Sequence, residues 1–217
     1  MTTAEGTPRE RILAAAVRHA AFDGWTDRIL VQGARDAGYP AEMAEQIFPD
    51  GIDELIEAFS RRADLCMAEG LARRDLDSLK VRDKVALAVR LRLECLAPHR
   101  EAVRRLTAHC ALPQNAPLGA KLVARTVDAM WHAVGDTSTD MSWYTKRALL
   151  AAVYAATVLY WLGDESDGHS ATWEFLDRRL ADVMRIPRLR GAFERALGRI
   201  PSPLRAWRLA RRRDSFT

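Results

Sequence analysis

The sequence predicts an all-α protein, a bundle of about nine helices followed by an amphipathic C-terminal helix. Apolar residues recur at three- and four-residue spacing along most of the 217 residues, the period of helices that bury one face. Ala, Leu and Arg are abundant, and Val and Ile nowhere alternate as in a strand, within a composition that is 48% hydrophobic and 7% aromatic. Glycines and prolines interrupt the pattern about one helix length apart. The chain is long enough to bury a substantial helical core.

Thr7-Pro8-Arg9-Glu10 forms a capping box with Pro at the first helical position, and Ile12, Leu13, Ala16, Val17 and Ala20 follow on one face up to Gly24. Thr26 is placed to cap a second helix ending at Ala37-Gly38. Pro40 opens a short third helix through Phe48, and Pro49-Asp50-Gly51 breaks the chain. A long fourth helix is expected over 52–76, then helices over 81–96, 100–111, 118–134, 142–162 and 171–184, with breaks at Pro98, Pro113, Gly135 and Gly163. The expected organisation is a three-helix N-terminal bundle (1–50), a helical core (51–184) and a basic tail (185–217).

The first four helices have the layout of a tetracycline-repressor-type regulator, carried by Ile29-Leu30, Ala34, Ala37-Gly38, Ile47-Phe48 and Glu54-Leu55-Ile56. Charge opposes DNA binding. Between Asp36 and Ser60 there is no Lys or Arg, and Asp36, Glu42, Glu45, Asp50, Asp53, Glu54 and Glu57 would face the phosphates. The layout therefore predicts a repressor-like scaffold without a specific DNA site. A ligand-responsive transcription regulator of that type is the rival reading.

The stretch 148–162 is uncharged for fifteen residues. That is short of the roughly 18 apolar residues of a membrane span, so a buried core helix is expected. Its Tyr154, Tyr160 and Trp161 either fill the core or line an internal cavity. Trp173, Leu176 and Leu180 share one face of the following helix, as core or as a dimer seam.

From Gly135 the chain reads GDTSTDMSWYTKRALLAAVYAATVLYWLGDESDGHSATWEFLDRRLADV. The GD-x-STD-x-x-WYT-K-R run and the later W-x-FL-x-x-R run resemble the C-terminal signature of the coenzyme Q (ubiquinone) biosynthesis protein nine family. The resemblance implies a lipid-binding accessory protein of ubiquinone biosynthesis. Such a protein holds an isoprenoid lipid or quinone intermediate in an apolar cavity and assists the di-iron demethoxyubiquinone hydroxylase. It also implies a membrane-associating C-terminal helix, while the repressor-type layout, whose last two long helices pair, implies a homodimer. Leu150, Tyr154, Tyr160 and Trp161 become the candidate lipid contacts, and Asp140, Trp143, Tyr144 and Arg147 match the patch that contacts the hydroxylase. Trp, Tyr and Arg are the residue types that dominate interface energetics. On the residues alone, Trp143 and Tyr144 equally seal one end of the core, with Asp140 as a helix cap.

The tail concentrates charge. From residue 185 onward ten Arg stand against Glu194 and Asp214, a net +8 that leaves −4 on residues 1–184 of the chain's total of +4. Leu189, Phe193, Ala196, Leu197 and Ile200 fall within about 100° on a helical projection, opposite Arg188, Arg195 and Arg199. With Leu204, Trp207 and Arg211-Arg212-Arg213 this is the pattern of a helix lying on an anionic membrane surface. The alternative is a last helix packed on the body with a solvated Arg-rich end.

No catalytic motif is present. No Glu is followed three residues later by His, which sets the chain apart from the hydroxylase itself, and there is no H-E-x-x-H, P-loop, G-x-G-x-x-G or G-x-S-x-G. His19, His99, His109, His132 and His169 lack metal-ligand spacing, and no cofactor is expected. Asp164 and Glu165 read as solvated loop acids. Cys66, Cys95 and Cys110 are odd in number and far apart, which suits small buried hydrophobes better than a disulfide or zinc site. Residues 1–10 lack a basic and an apolar export region, so a cytoplasmic protein, peripheral on the inner membrane, is expected.

Overall fold

The computed structural model describes the backbone over residues 6–135 and 141–197, and side chains over 6–135 and 146–183. Nine α-helices occur in this range: α1 (Pro8–Asp23), α2 (Asp27–Asp36), α3 (Glu42–Ile47), α4 (Gly51–Ala72), α5 (Val81–Leu96), α6 (Arg100–Cys110), α7 (Ala116–Ala133), α8 (Met141–Gly163) and α9 (Ser170–Leu197). There is no strand among the described residues. The chain divides into two compact units, 1–176 and 177–217.

Within the first unit, α1 starts at the expected capping box. The Thr7 hydroxyl accepts from Glu10 N at 3.3 Å, and Glu10 Oε2 accepts from Thr7 N at 2.8 Å. Ile12, Leu13, Ala16, Val17 and Ala20 are buried along its inner face. A side chain at Gly33 of α2 would place its Cβ 2.7 Å from Ala16 Cβ and 2.9 Å from Ala16 N. The Gly33–Ala16 pair therefore lets the two backbones approach more closely than any larger residue permits. Thr26 precedes α2 in the expected extended conformation but makes no side-chain cap. The α2–α4 junction is tied instead by Asp27 Oδ1, which accepts from Ile52 N at 3.1 Å.

α4 ends at Ala72, four residues before the expected end. The Asp75 carboxylate accepts from Asp77 N at 3.0 Å, and such local side-chain bonds compete with helical ones. α4 packs on both α5 and α7, and α1 on α6.

The cysteine expectation is corrected here. Cys66 on α4 and Cys95 on α5 form a disulfide, with Cα atoms 6.3 Å apart. They are 29 residues apart in sequence, but the α4–α5 hairpin folds one helix back along the other. Cys66 is exposed, and the free Cys110 is half-buried rather than deep in the core.

On α8, Leu150, Val153, Tyr154, Thr157, Trp161 and Leu162 are buried, the spacing of a single inward face. Among the described residues, no helix is long and apolar enough to cross a membrane. In the second unit, α9 does not stop near Met184. Its backbone stays helical through Pro187 to Leu197, so the first part of the expected tail continues α9. Leu189, Phe193, Arg195 and Leu197 lie on this backbone with side chains outside the described set, and Arg199, Ile200 and Trp207 lie outside it altogether.

Candidate functional site

Five helices of the first unit surround a cavity of about 290 Å³. α4 contributes Phe59 and Ser60, α5 Arg92 and Leu96, α6 Val103, Leu106, Thr107 and Cys110, α7 Leu122, Val123 and Thr126, and α8 Tyr154, Ala155, Val158 and Leu159. The volume lies at the lower end of the range for small-molecule pockets. Its wall is apolar except for one corner.

Arg92 of α5 forms that corner, 4% exposed and surrounded by partners from α4 and α8. Its Nε donates to Asp64 Oδ1 at 2.7 Å and its Nη2 to Ser60 Oγ at 2.9 Å, while Nη1 donates to the Tyr154 hydroxyl. Thr126 Oγ1 adds a 3.1 Å bond to the same Asp64 oxygen. Burial works against the charge on Arg92, but Tyr154 and Asp64 outweigh it and its pKa is raised. Burial also pushes the Tyr154 phenol up, only partly offset by Arg92, so Tyr154 remains a neutral hydroxyl.

Of the four residues expected to contact lipid, Tyr154 lines the cavity and the other three do not. Leu150 is buried elsewhere on α8. Trp161 is fully buried beneath the Arg100 guanidinium, 5.4 Å from its ring centroid. Tyr160 is 40% exposed on the outer face and stacks on Phe175 at 4.5 Å. The cavity face of α8 runs instead through 154, 155, 158 and 159. Ser60 and Arg92 escaped sequence reading, although a signal was present: each is a polar residue on an apolar stripe, beside Phe59 and between Val89 and Leu96.

Of the expected partner patch, only Arg147 has a described side chain; its Nε donates to Asp128 Oδ1 of α7 at 2.5 Å. Trp143 and Tyr144 lie in the first turns of α8 with side chains outside the described residues, and Asp140 lies outside them entirely. In the repressor-like segment α3 is only six residues long, and Glu42, Glu45 and Asp50 are exposed. No metal-ligating cluster occurs among the described residues.

Asp164 corrects another expectation. It is 6% exposed, whereas Glu165 is exposed. Its carboxylate accepts from Ser166 N at 2.8 Å and from Thr172 N and Oγ1 at 2.9 and 2.5 Å. The short 164–172 return folds the loop onto the first turn of α9 and so removes this acid from water. Burial alone would raise the Asp164 carboxyl, but the Ser166 and Thr172 donors outweigh it and hold it well below the usual carboxylate range. Asp164→Ala is expected to cost about 0.5–2 kcal/mol, as for other acceptors at a helix start. Because the folded pKa is depressed, the difference from wild type should be complete above about pH 5 and shrink as pH falls through the ordinary Asp value near 4 and below. Thermal melts of both proteins across that range check the sign.

A family model described as COQ9 matches residues 116–187. The chain is 35% identical over 182 residues to the mitochondrial ubiquinone biosynthesis protein COQ9 of Drosophila melanogaster, covering 82% of this chain and 56% of that protein. It is 34% identical over 183 residues to the Homo sapiens protein of that name, covering 81% and 57%. The chain is similar to the COQ9 family over most of its length. It spans little more than half the length of these COQ9 relatives. The COQ9 match takes in α7, α8 and much of α9, and so two of the five cavity walls. Among solved structures, a TetR transcriptional regulator from Nitrosomonas europaea superposes with a TM-score of 0.65 at 23% identity, covering 81% of this chain and 97% of that one. The chain thus has the tetracycline-repressor-like fold that its helix layout implied.

Proposed function

We propose that this protein is a non-enzymatic, lipid-binding accessory protein of ubiquinone biosynthesis. It holds the apolar part of an isoprenoid quinone intermediate in the α4–α8 cavity and presents that intermediate to the di-iron demethoxyubiquinone hydroxylase. The cavity is the observation that carries the reading, since five helices converge on an apolar space that their own side chains leave unfilled. The relatives' name, ubiquinone biosynthesis protein, supports the pathway. Their mitochondrial designation and the basic tail support a peripheral place on the inner membrane. The patch at Asp140, Trp143, Tyr144 and Arg147 is assigned to the hydroxylase, and a homodimer is the proposed assembly. The exposed carboxylates of α3 speak against a transcription regulator, because a phosphate-facing helix requires the opposite sign.

Extraction of lipids from the purified full-length chain tests the reading. Wild-type protein should yield isoprenoid quinones, and Ala155→Trp, which fills the cavity, should yield several-fold less while remaining folded. A lipid-free protein that shifts promoter DNA at physiological salt would overturn it in favour of the regulator. Flotation with anionic vesicles tests the tail: Phe193→Glu should weaken binding, as should raised salt. Unchanged flotation in both cases would remove the tail from the mechanism.

A further inference from the structure

The polar corner of the cavity offers hydrogen bonds of one kind. Arg92 donates to the Ser60 and Tyr154 hydroxyls, so each uses a lone pair on the guanidinium and keeps its own proton for another acceptor. Among the described residues, neither proton has one. Thr107 and Thr157 differ: they return their protons to the carbonyls of Val103 and Val153 one turn earlier, at 3.0 and 2.7 Å. Ser60 and Tyr154 are 7% and 6% exposed, and both line the apolar cavity. Two buried donors with no acceptor in an otherwise apolar wall leave a complementary place for an acceptor. The guanidinium behind them strengthens both donors, because a hydroxyl that accepts from a cation becomes a better donor. The only carboxylate of the network, Asp64, contacts Arg92 without lining the cavity, and lines instead the neighbouring α4–α7 groove, which shares Ser60 and Leu122 with the cavity. An incoming acceptor therefore meets hydroxyl protons first. Burial keeps Tyr154 protonated and able to donate.

We infer that the Ser60–Arg92–Tyr154 corner is a carbonyl-oxygen site. It receives a C=O oxygen of the bound lipid through hydrogen bonds from Tyr154 and Ser60, with the apolar part of the ligand along Leu96, Val103, Leu122 and Val158. Arg92 is a positioning residue that orients and polarises the two hydroxyls. This inference rests on the reading of the cavity as a lipid site, and it adds the head chemistry that site selects. A ring carbonyl of a prenyl quinone and an acyl-ester carbonyl of a phospholipid share that chemistry.

The test uses the delipidated full-length chain with three probes: a short-chain prenyl quinone, a short-chain diacyl phosphatidylcholine, and an oxygen-free isoprenoid hydrocarbon of matching length. Occupancy is read by protection of Cys110, which lines the cavity and is the free thiol. Head recognition is read by the infrared carbonyl stretch of the bound probe. Wild-type protein should bind a carbonyl probe more tightly than the hydrocarbon and shift its carbonyl band to lower frequency. Tyr154→Phe and Ser60→Ala should each weaken that binding roughly two- to twelve-fold, leave hydrocarbon binding unchanged, and return the band toward its unbound position. A response confined to the quinone identifies the ring carbonyl as the natural head, and one confined to the phosphatidylcholine identifies the ester. Equal affinity for all three probes, with Cys110 protected and no band shift in wild type, would sink the carbonyl site while leaving the lipid cavity intact. Failure of every probe to protect Cys110 would instead overturn the lipid reading and this inference with it. The infrared readout on wild type needs no variant, so a misfolded substitution does not decide the outcome.

Discussion

Replacing Arg92 with Ala is expected to lower the stability of the fold by about 3–5 kcal/mol, the cost of removing one partner from a buried ion pair. The guanidinium is the shared donor for Asp64 on α4, Ser60 on α4 and Tyr154 on α8. Its removal leaves an acid whose side chain is only 13% exposed with Thr126 as its remaining partner. For a chain of this length each kcal/mol shifts Tm by roughly 2–4 °C, so the melt should fall by about 6–20 °C. The loss comes from an uncompensated charge, not from an intrinsic advantage of the ion pair. Replacing both partners together, as Asp64→Leu with Arg92→Met, should therefore restore most of it. A double variant that melts as low as Arg92→Ala alone would show that the network acts through packing and not through charge.

Reduction of the Cys66–Cys95 disulfide should have an effect of similar size. Closing a loop of about 29 residues removes entropy from the unfolded chain worth roughly 3–4 kcal/mol. Dithiothreitol or Cys95→Ser should thus lower Tm by about 6–16 °C. Cys66 is exposed, so reductant reaches the bond without prior unfolding. Counting thiols on denatured protein provides the control: one alkylated cysteine before reduction and three after. An unchanged melt with three labelled thiols would mean that the α4–α5 packing alone holds this hairpin.

Local grammar carried most of the helices into view. The capping box at Thr7–Glu10 started α1 where expected, and α5 occupies the expected 81–96. Local signals misled at three places, and at the second and third a contact beyond the local pattern decided. α9 was expected to stop before Pro187 and continues through it. Asp164 looked solvated in a Gly- and Ser-rich loop, yet the loop folds back so that Thr172 and Ser166 satisfy its carboxylate. The cysteines looked unrelated at a spacing of 29 residues, and a helical hairpin joins two of them.

The candidate site was legible only in outline. An uncharged α8 marked an interior helix, but which of its aromatics meets the cavity depends on the neighbours that surround it. Tyr154 faces α4 and α5, while Trp161 lies against Arg100 of α6 and Tyr160 turns outward to Phe175. Periodicity, caps and composition determined the all-helical class, the order of the helices and the acidic character of the repressor-like segment, because each of these is written within a few residues along the chain. Only the tertiary structure decided that Ser60, Arg92 and Tyr154 meet at one corner of an apolar cavity. Their meeting requires three helices to pack at one register, and that register is set by contacts 32 and 62 residues apart in sequence.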